Sequence, residues 1–460
     1  MSIRNLILNP AILIPLASIF LVYFLIFLKL SNNRKIALIL EKITTFFFIF
    51  LLINPNVPPF NYLDPSSLAG SDKTFASTIL QLGIYAFFII LTRSLFGSFF
   101  RSFTLIFRDP FLGILLVLCV LSVLWSGTPL VTFKFSLVQF IVSWFAAHIV
   151  SRNNWKMLAQ NLRWICLAAA VLSILTILAV PSMGVGVEDL PPFAPRWKGI
   201  FPFPIKLGTC MALSVTLWIN QLIYSPKQRL VSFGAVTLSF LLLVRSASAQ
   251  ASFTLIILLS ILVLLKFIQK FNRKQTVVIV VMLIFVFVVL CVGVTENLEV
   301  IFGAFGKDTA LTGRAEFWPQ MIDALNKRPV LGYGFHGFWQ PWRGENSPAG
   351  HIININGFIP PNGHNGFLDL ALEVGYFGLL LFLLSLILNL VRAVSFWRRS
   401  QSNESIFPLI MIAYVIMANI SETQLFMANY IWFSYVVVAV RLNSDGAKQP
   451  LPSVTRLNLQ

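Results

Sequence analysis

The sequence has 460 residues, 57% of them hydrophobic and only 11% charged, with a mean hydropathy of +0.82 and a formal net charge of +17. A soluble domain carries about a quarter charged residues, and a chain this apolar would expose large hydrophobic patches in water. Composition therefore excludes a soluble protein, and the placement of the bases, set out below, argues against nucleic acid.

Apolar windows long enough to cross about 30 Å of hydrocarbon as helices recur along the chain. They lack the period-2 alternation of barrel strands, and lipid leaves backbone groups no partner outside a helix. The expected spans lie near 11–28, 36–53, 75–92, 110–126, 130–150, 163–180, 205–224, 229–245, 248–267, 275–294, 366–390, 406–421 and 427–441. The predicted fold is thus all-α: a polytopic bundle of about 12–13 helices with a large, partly helical outer loop. Three regions follow: helices over 1–294, the loop over 295–365, and helices with a tail over 366–460. The first apolar run has no small-residue cleavage signal and reads as a retained helix.

Alternate connections are basic. One set holds Lys29, Arg34 and Lys35; Arg93, Arg101 and Arg108; Arg152, Lys156 and Arg163; Lys227 and Arg229; Lys266, Lys270, Arg273 and Lys274; and Arg392, Arg398 and Arg399, with Arg441, Lys448 and Arg456 in the tail. Few acids join them, chiefly Asp109, Glu404 and Asp445. Basic loops stay cytoplasmic, so the excess charge is a topology signal. The four cysteines, Cys119, Cys166, Cys210 and Cys291, fall inside spans and read as small buried hydrophobes.

Three polar stretches fall on the opposite, outer side: Asn54–Thr74, Pro181–Pro204 and Thr295–Asn365. The last is about seventy residues long and holds three of the four histidines; loops of this length are usually functional or disordered. Within it, Phe317, Met321, Ala324 and Leu325 recur at helical spacing in RAEFWPQMIDALNK. That pattern predicts a short amphipathic helix at the membrane interface, kinked or restarted at Pro319.

Four constellations can carry chemistry. Arg196-Trp197-Lys198-Gly199 reads either as an interfacial anchor or as a cationic clamp, since guanidinium pairs bidentately with phosphate. Arg314 lies in the first turn of the amphipathic helix, where it opposes the helix dipole unless it meets an anion; a solvated face is the plain alternative. The run GYGFHGFW, residues 332–339, combines tight-turning glycines with aromatics suited to sugar rings, and His336 fits packing as well as participation. His364-Asn365 places an imidazole, able to act as a general base, at the mouth of a span. Its alternative is a capping Asn beside a surface His. Arg245 at the outer end of a span either snorkels or binds, and Asp369 and Glu373 should face the bundle interior or a polar cavity. No phosphate loop, dinucleotide turn or metal motif is present in the loops, so no cofactor or metal is expected and the substrate should arrive already activated.

Taken in order, RWKGIF, TGRAEFW, RPVLGYGFHGFW and HNGFLDLALEVGYFGLLLF resemble the O-antigen ligase/polymerase superfamily, nearest to exopolysaccharide polymerases, over roughly residues 195–390. The resemblance implies a metal-independent inner-membrane glycosyltransferase with its large loop in the periplasm. The donor would be an undecaprenyl-diphosphate-linked oligosaccharide and the acceptor a glycan, with chain-length regulators or flippases as partners. Carried over by motif, Arg196 and Arg314 would neutralise the departing diphosphate with help from Lys198. His364 would deprotonate the acceptor. Arg245, His336, Asn365, Trp318 and Tyr333 would contact substrate. The sequence departs from the family pattern at Phe203 and Ile205, where relatives carry polar residues, and at Ala249, where they carry an arginine. Rival readings are a ligase acting on a lipid A core or protein, and an inorganic-carbon-type transporter.

Overall fold

The computed structural model describes residues 33–53, 99–186, 195–268, 314–353, 360–400 and 402–446, with 55, 271 and 275. The expected spans at 11–28, 75–92 and 275–294 lie outside the described residues, as do nearly all of Asn54–Thr74 and the stretch before Arg314.

Helix starts follow the local chemistry. Asn33 accepts from Lys35 N at 3.0 Å and caps α1 (Arg34–Leu52). After α2 (Phe99–Ile106), Asp109 accepts from Leu112 N at 3.1 Å and Pro110 opens α3 (Pro110–Leu121). Prolines also open α4 (Pro129–Arg152) and α6 (Pro204–Tyr224), and Asn154 caps α5 (Trp155–Ala179). Then follow α7 (Arg229–Arg245), α8 (Ala249–Ile268), α9 (Arg314–Lys327), α10 (Gly366–Arg399), α11 (Phe407–Ile420) and α12 (Tyr430–Gly446). Among the described residues, six helical segments are long and apolar enough to cross a membrane. A seventh span is possible if α2 and α3, bent by 104°, count as one. The fold is an all-α polytopic bundle.

Chain order sorts the helix ends into two groups. The starts of α4, α6, α8, α10 and α12 share one end with the long loop. The other end gathers Arg152, Lys156, Lys227, Arg229, Lys266, Arg398 and Arg399. We call these the loop end and the basic end.

Two residues assigned to basic connections are instead buried. Asp109 is 0% exposed: besides capping α3 it accepts from Ser385 Oγ and Asn389 Nδ2, each at 2.7 Å, and so ties the α2–α3 bend to α10. α5 begins at Trp155, eight residues before the expected start, which places Arg163 inside the helix, 8% exposed, with its guanidinium 5.8 Å from the Trp218 ring. The stack offsets part of the cost of burying the cation.

α10 is broken at Val374 (φ −124°) and Gly375 (φ 73°). The break forfeits the helical bonds from Tyr376 N to Leu372 O and from Phe377 N to Glu373 O. The loop after α9 replaces them. Tyr333 N donates to Leu372 O (2.9 Å) and Gly334 N to Glu373 O (2.8 Å). Pro329 O accepts from Tyr376 N (2.7 Å) and Val330 O from Phe377 N (3.3 Å). Irregular backbone survives at such depth only when protein satisfies it. A β-carbon at position 375 would collide with the Val330 carbonyl, and the positive φ adds strain. Gly375→Ala is therefore expected to cost about 4 kcal/mol or more, read as a large fall in the thermal midpoint in detergent; an unchanged midpoint would refute this account of the break.

α9 runs as one helix through Pro319 and does not restart there. Its apolar face is the predicted one, with Phe317 at 3%, Met321 and Ala324 at 0% and Leu325 at 1% exposure, but it does not lie on lipid. It packs against Phe338, Ile352, Ala371 and Leu372 in a small second core. The interfacial reading is corrected because the GYGFHGFW loop folds back and offers a protein partner for the stripe.

Candidate active site

The HNG segment is held from three sides. Asn365 Oδ1 accepts from Phe367 N (3.1 Å) and Leu368 N (3.2 Å), which commits that side chain to capping α10. One turn on, Asp369, 3% exposed, accepts from Gly363 N at 3.0 and 3.1 Å, from Trp339 Nε1 at 2.7 Å and from Thr423 Oγ1. From α9, Trp318 Nε1 donates to Gly363 O at 3.0 Å. There is no room for a side chain at position 363: a β-carbon would lie 2.6 Å from Asp369 Oδ1.

This clamp holds His364 at φ 48°, a backbone region that non-glycine residues rarely occupy. Its amide donates to Asn362 Oδ1 at 3.0 Å, and the same oxygen accepts from Thr423 Oγ1 at 3.3 Å. The imidazole Nδ1 then lies 3.4 Å from Glu422 Oε1, with side-chain exposures of 30% for His364 and 16% for Glu422. The ring is open to a substrate while the carboxylate sits behind it. With the Nδ1 proton donated to Glu422, Nε2 is the basic nitrogen.

A cationic group occupies the same end. Arg196 lies on β2 (Arg196–Trp197), which pairs antiparallel with β1 (Val185–Gly186). Its Nε donates to Ser246 O at 2.9 Å, past the end of α7. Arg245 stacks over Trp197 at 4.7 Å, and half-buried Lys198 follows on the strand, its amide donating to Gly184 O at 2.9 Å. Ala249 opens α8 across the Ser246–Ser248 turn from Arg245. Phe203 and Ile205 flank the start of α6, and Phe203 is 59% exposed. Gln250 Nε2 donates to Met417 O at 3.4 Å, which joins the start of α8 to the last turn of α11, just before Glu422. The arginine and histidine groups therefore sit on neighbouring elements at the loop end. Arg314 opens α9 four positions before Trp318, on the same helical face; its side chain lies outside the described residues.

His336 and Tyr333 are engaged elsewhere. The His336 ring stacks on Phe135 (4.0 Å, 17°) and meets the edge of Phe335 at 4.7 Å. Burial, with Lys134 nearby, lowers its pKa to about 4, so it is neutral at pH 7. Tyr333 Oη donates to Ala324 O at 2.9 Å beneath the Arg328 guanidinium.

Sequence reading missed Glu422 and Thr423 altogether, and it took Asp369 only as an inward-facing acid. The one available signal was an acid in SETQ, the short connection between two apolar spans on the outer side.

Fold and site together define a multi-pass α-helical membrane protein with a histidine–carboxylate pair at a helix mouth and guanidinium groups on adjacent elements. Residues 231–383 match the family described as O-antigen ligase, so the superfamily resemblance read from the motifs holds over that segment. The match takes in Arg245, Arg314, Trp318, Tyr333, His336, His364 and Asn365 but not Arg196 or Lys198. The chain is also similar to the exopolysaccharide production protein ExoQ of Rhizobium meliloti, 33% identical over 20% of this chain and 21% of that protein. It is 32% identical to the ComP-specific O-oligosaccharyltransferase of Acinetobacter baylyi over 32% of this chain and 27% of that protein. The matches thus span about a fifth to a quarter of the curated relatives' lengths.

Proposed function

We propose that this chain is an inner-membrane glycosyltransferase that polymerises undecaprenyl-diphosphate-linked saccharide units into an exopolysaccharide or O-antigen-like glycan, with its loop end in the periplasm. The observation that carries the reading is the His364–Glu422 pair, part-exposed at the mouth of α10 at the same end as Arg196 and Arg245. The O-antigen ligase match supports it, and so do relatives named for exopolysaccharide production and O-oligosaccharyl transfer.

In this scheme the acceptor hydroxyl gives its proton to His364 Nε2 while its oxygen attacks the anomeric carbon. The bond from that carbon to the diphosphate oxygen breaks, the configuration inverts, and the lipid diphosphate leaves with the bonding electrons. Arg196 and Arg314, assisted by Lys198, stabilise the developing charge, so no metal ion is required. Glu422 holds the imidazole in the reactive tautomer and offsets its positive charge after proton transfer. Chain-length regulators and a flippase are the partners this role calls for.

Incubating the purified chain with lipid-diphosphate oligosaccharides tests the reading. A ladder of products is expected. A single added block would mark a ligase, and solute flux without glycan product would mark a transporter.

A further inference from the structure

At the basic end, on the far side of the bundle from His364, a cavity of about 340 Å³ opens between α5, α6 and the start of α11. Sites for small ligands commonly start at about 300 Å³. Lys156, Arg163 and Lys227 line it against a single carboxylate, Glu404, so its wall carries two net positive charges. The remaining lining mixes polar side chains, Asn220 and Tyr224 among them, with apolar ones.

Among the described residues, two buried polar atoms of the lining lack a hydrogen-bond partner, Arg163 Nε and Asn220 Oδ1, as does Lys266 Nζ beside Tyr224. Arg163 decides the matter. The residue is 8% exposed, and its guanidinium is braced on the Trp218 ring. Glu404 lies within electrostatic reach but forms no ion pair with it. Lys266 stands 4.4 Å over the ring of Tyr224, which is itself on the cavity wall. Buried polar groups are normally paired, and an unpaired buried cation is costly. Three cations on the wall of one recess, a fourth against its Tyr224, and orphaned buried nitrogens on Arg163 and Lys266 therefore call for an anion of matching geometry. Guanidinium and ammonium donors fit phosphate oxygens, and basic pockets between helices on the cytoplasmic side of membranes hold phosphorylated head groups.

We propose that this cavity binds a phosphate-bearing anion, supplied by an anionic phospholipid head group or by free phosphate. The site is separate from the glycan-transfer reading and stands or falls without it.

The test is thermal unfolding of the purified full-length chain in maltoside micelles doped with phosphatidylglycerol, with phosphatidylcholine, or supplied with inorganic phosphate. A saturable rise in midpoint with phosphatidylglycerol but not phosphatidylcholine identifies a lipid source. An equal rise with inorganic phosphate identifies a free anion. In either case the half-saturating concentration should increase at least about tenfold in Lys156→Gln/Lys227→Gln and in Arg163→Gln, because each removes a charge-assisted bond. Lys156 and Lys227 are exposed, so the double variant keeps the test valid if Arg163→Gln does not fold. No rise with either anion, or a rise that the lysine variant retains at wild-type affinity, would overturn the proposal.

Discussion

Replacing His364 with alanine should stop glycan elongation while leaving protein level, topology and thermal midpoint near those of the parent. The imidazole is 30% exposed and meets the Glu422 carboxylate, so little packing is lost. The clamp on the segment is made by its neighbours: Asp369 holds Gly363 N, Trp318 holds Gly363 O, and Asn365 caps the helix. Removing a general base costs on the order of 10²–10⁴ in rate, enough to erase a product ladder in a timed assay. Glu422→Gln, which keeps an acceptor near Nδ1 but removes the charge, should slow transfer by about tenfold through the same histidine. If the ladder from His364→Ala matched that of the parent protein, the base would have to be sought elsewhere.

The second large effect concerns the arginines. Arg314→Lys and Arg196→Lys are each expected to reduce turnover by about 10- to 100-fold, because a lysine supplies a point charge and not the planar fork that pairs with diphosphate oxygens. Arg196 should suffer twice. Its Nε bond to Ser246 O at 2.9 Å aims the guanidinium from β2 toward the turn after α7, and lysine has no donor at that position of its side chain. Initial rates with a lipid-diphosphate donor, measured at matched protein amounts, decide the matter. Equal rates for Arg314→Lys and the parent would return that residue to an ordinary solvated helix face.

The residues of the site differ in how they could be found. Arg196, Arg314 and His364 stand in short contiguous motifs, so one chain suffices to single them out. Glu422 is 58 residues from His364 in sequence and carries no motif; only the meeting of the α10 mouth with the connection after α11 makes it part of the site. His336 shows the reverse case. Its motif invites a functional reading, yet the stack on Phe135 in α4 seats it among aromatics, a contact that spans 201 positions of sequence (336 − 135) and leaves no local trace.

The spans of α1, α4, α6, α7 and α8 were readable to within a residue or two, because bilayer thickness sets the length of an apolar run and prolines, asparagines and aspartates mark where helices begin. The buried stripe of α9 was equally plain, since helical periodicity is a property of the segment itself. What covers that stripe is not such a property. The break in α10 filled by the 329–334 backbone, the burial of Asp109 under Ser385 and Asn389, and the seating of Arg163 on Trp218 all arise from segments far apart in the chain. Hydropathy and capping act over a few neighbouring residues, whereas partners for polar groups in a low-dielectric interior are chosen by packing, and only the assembled bundle decides them.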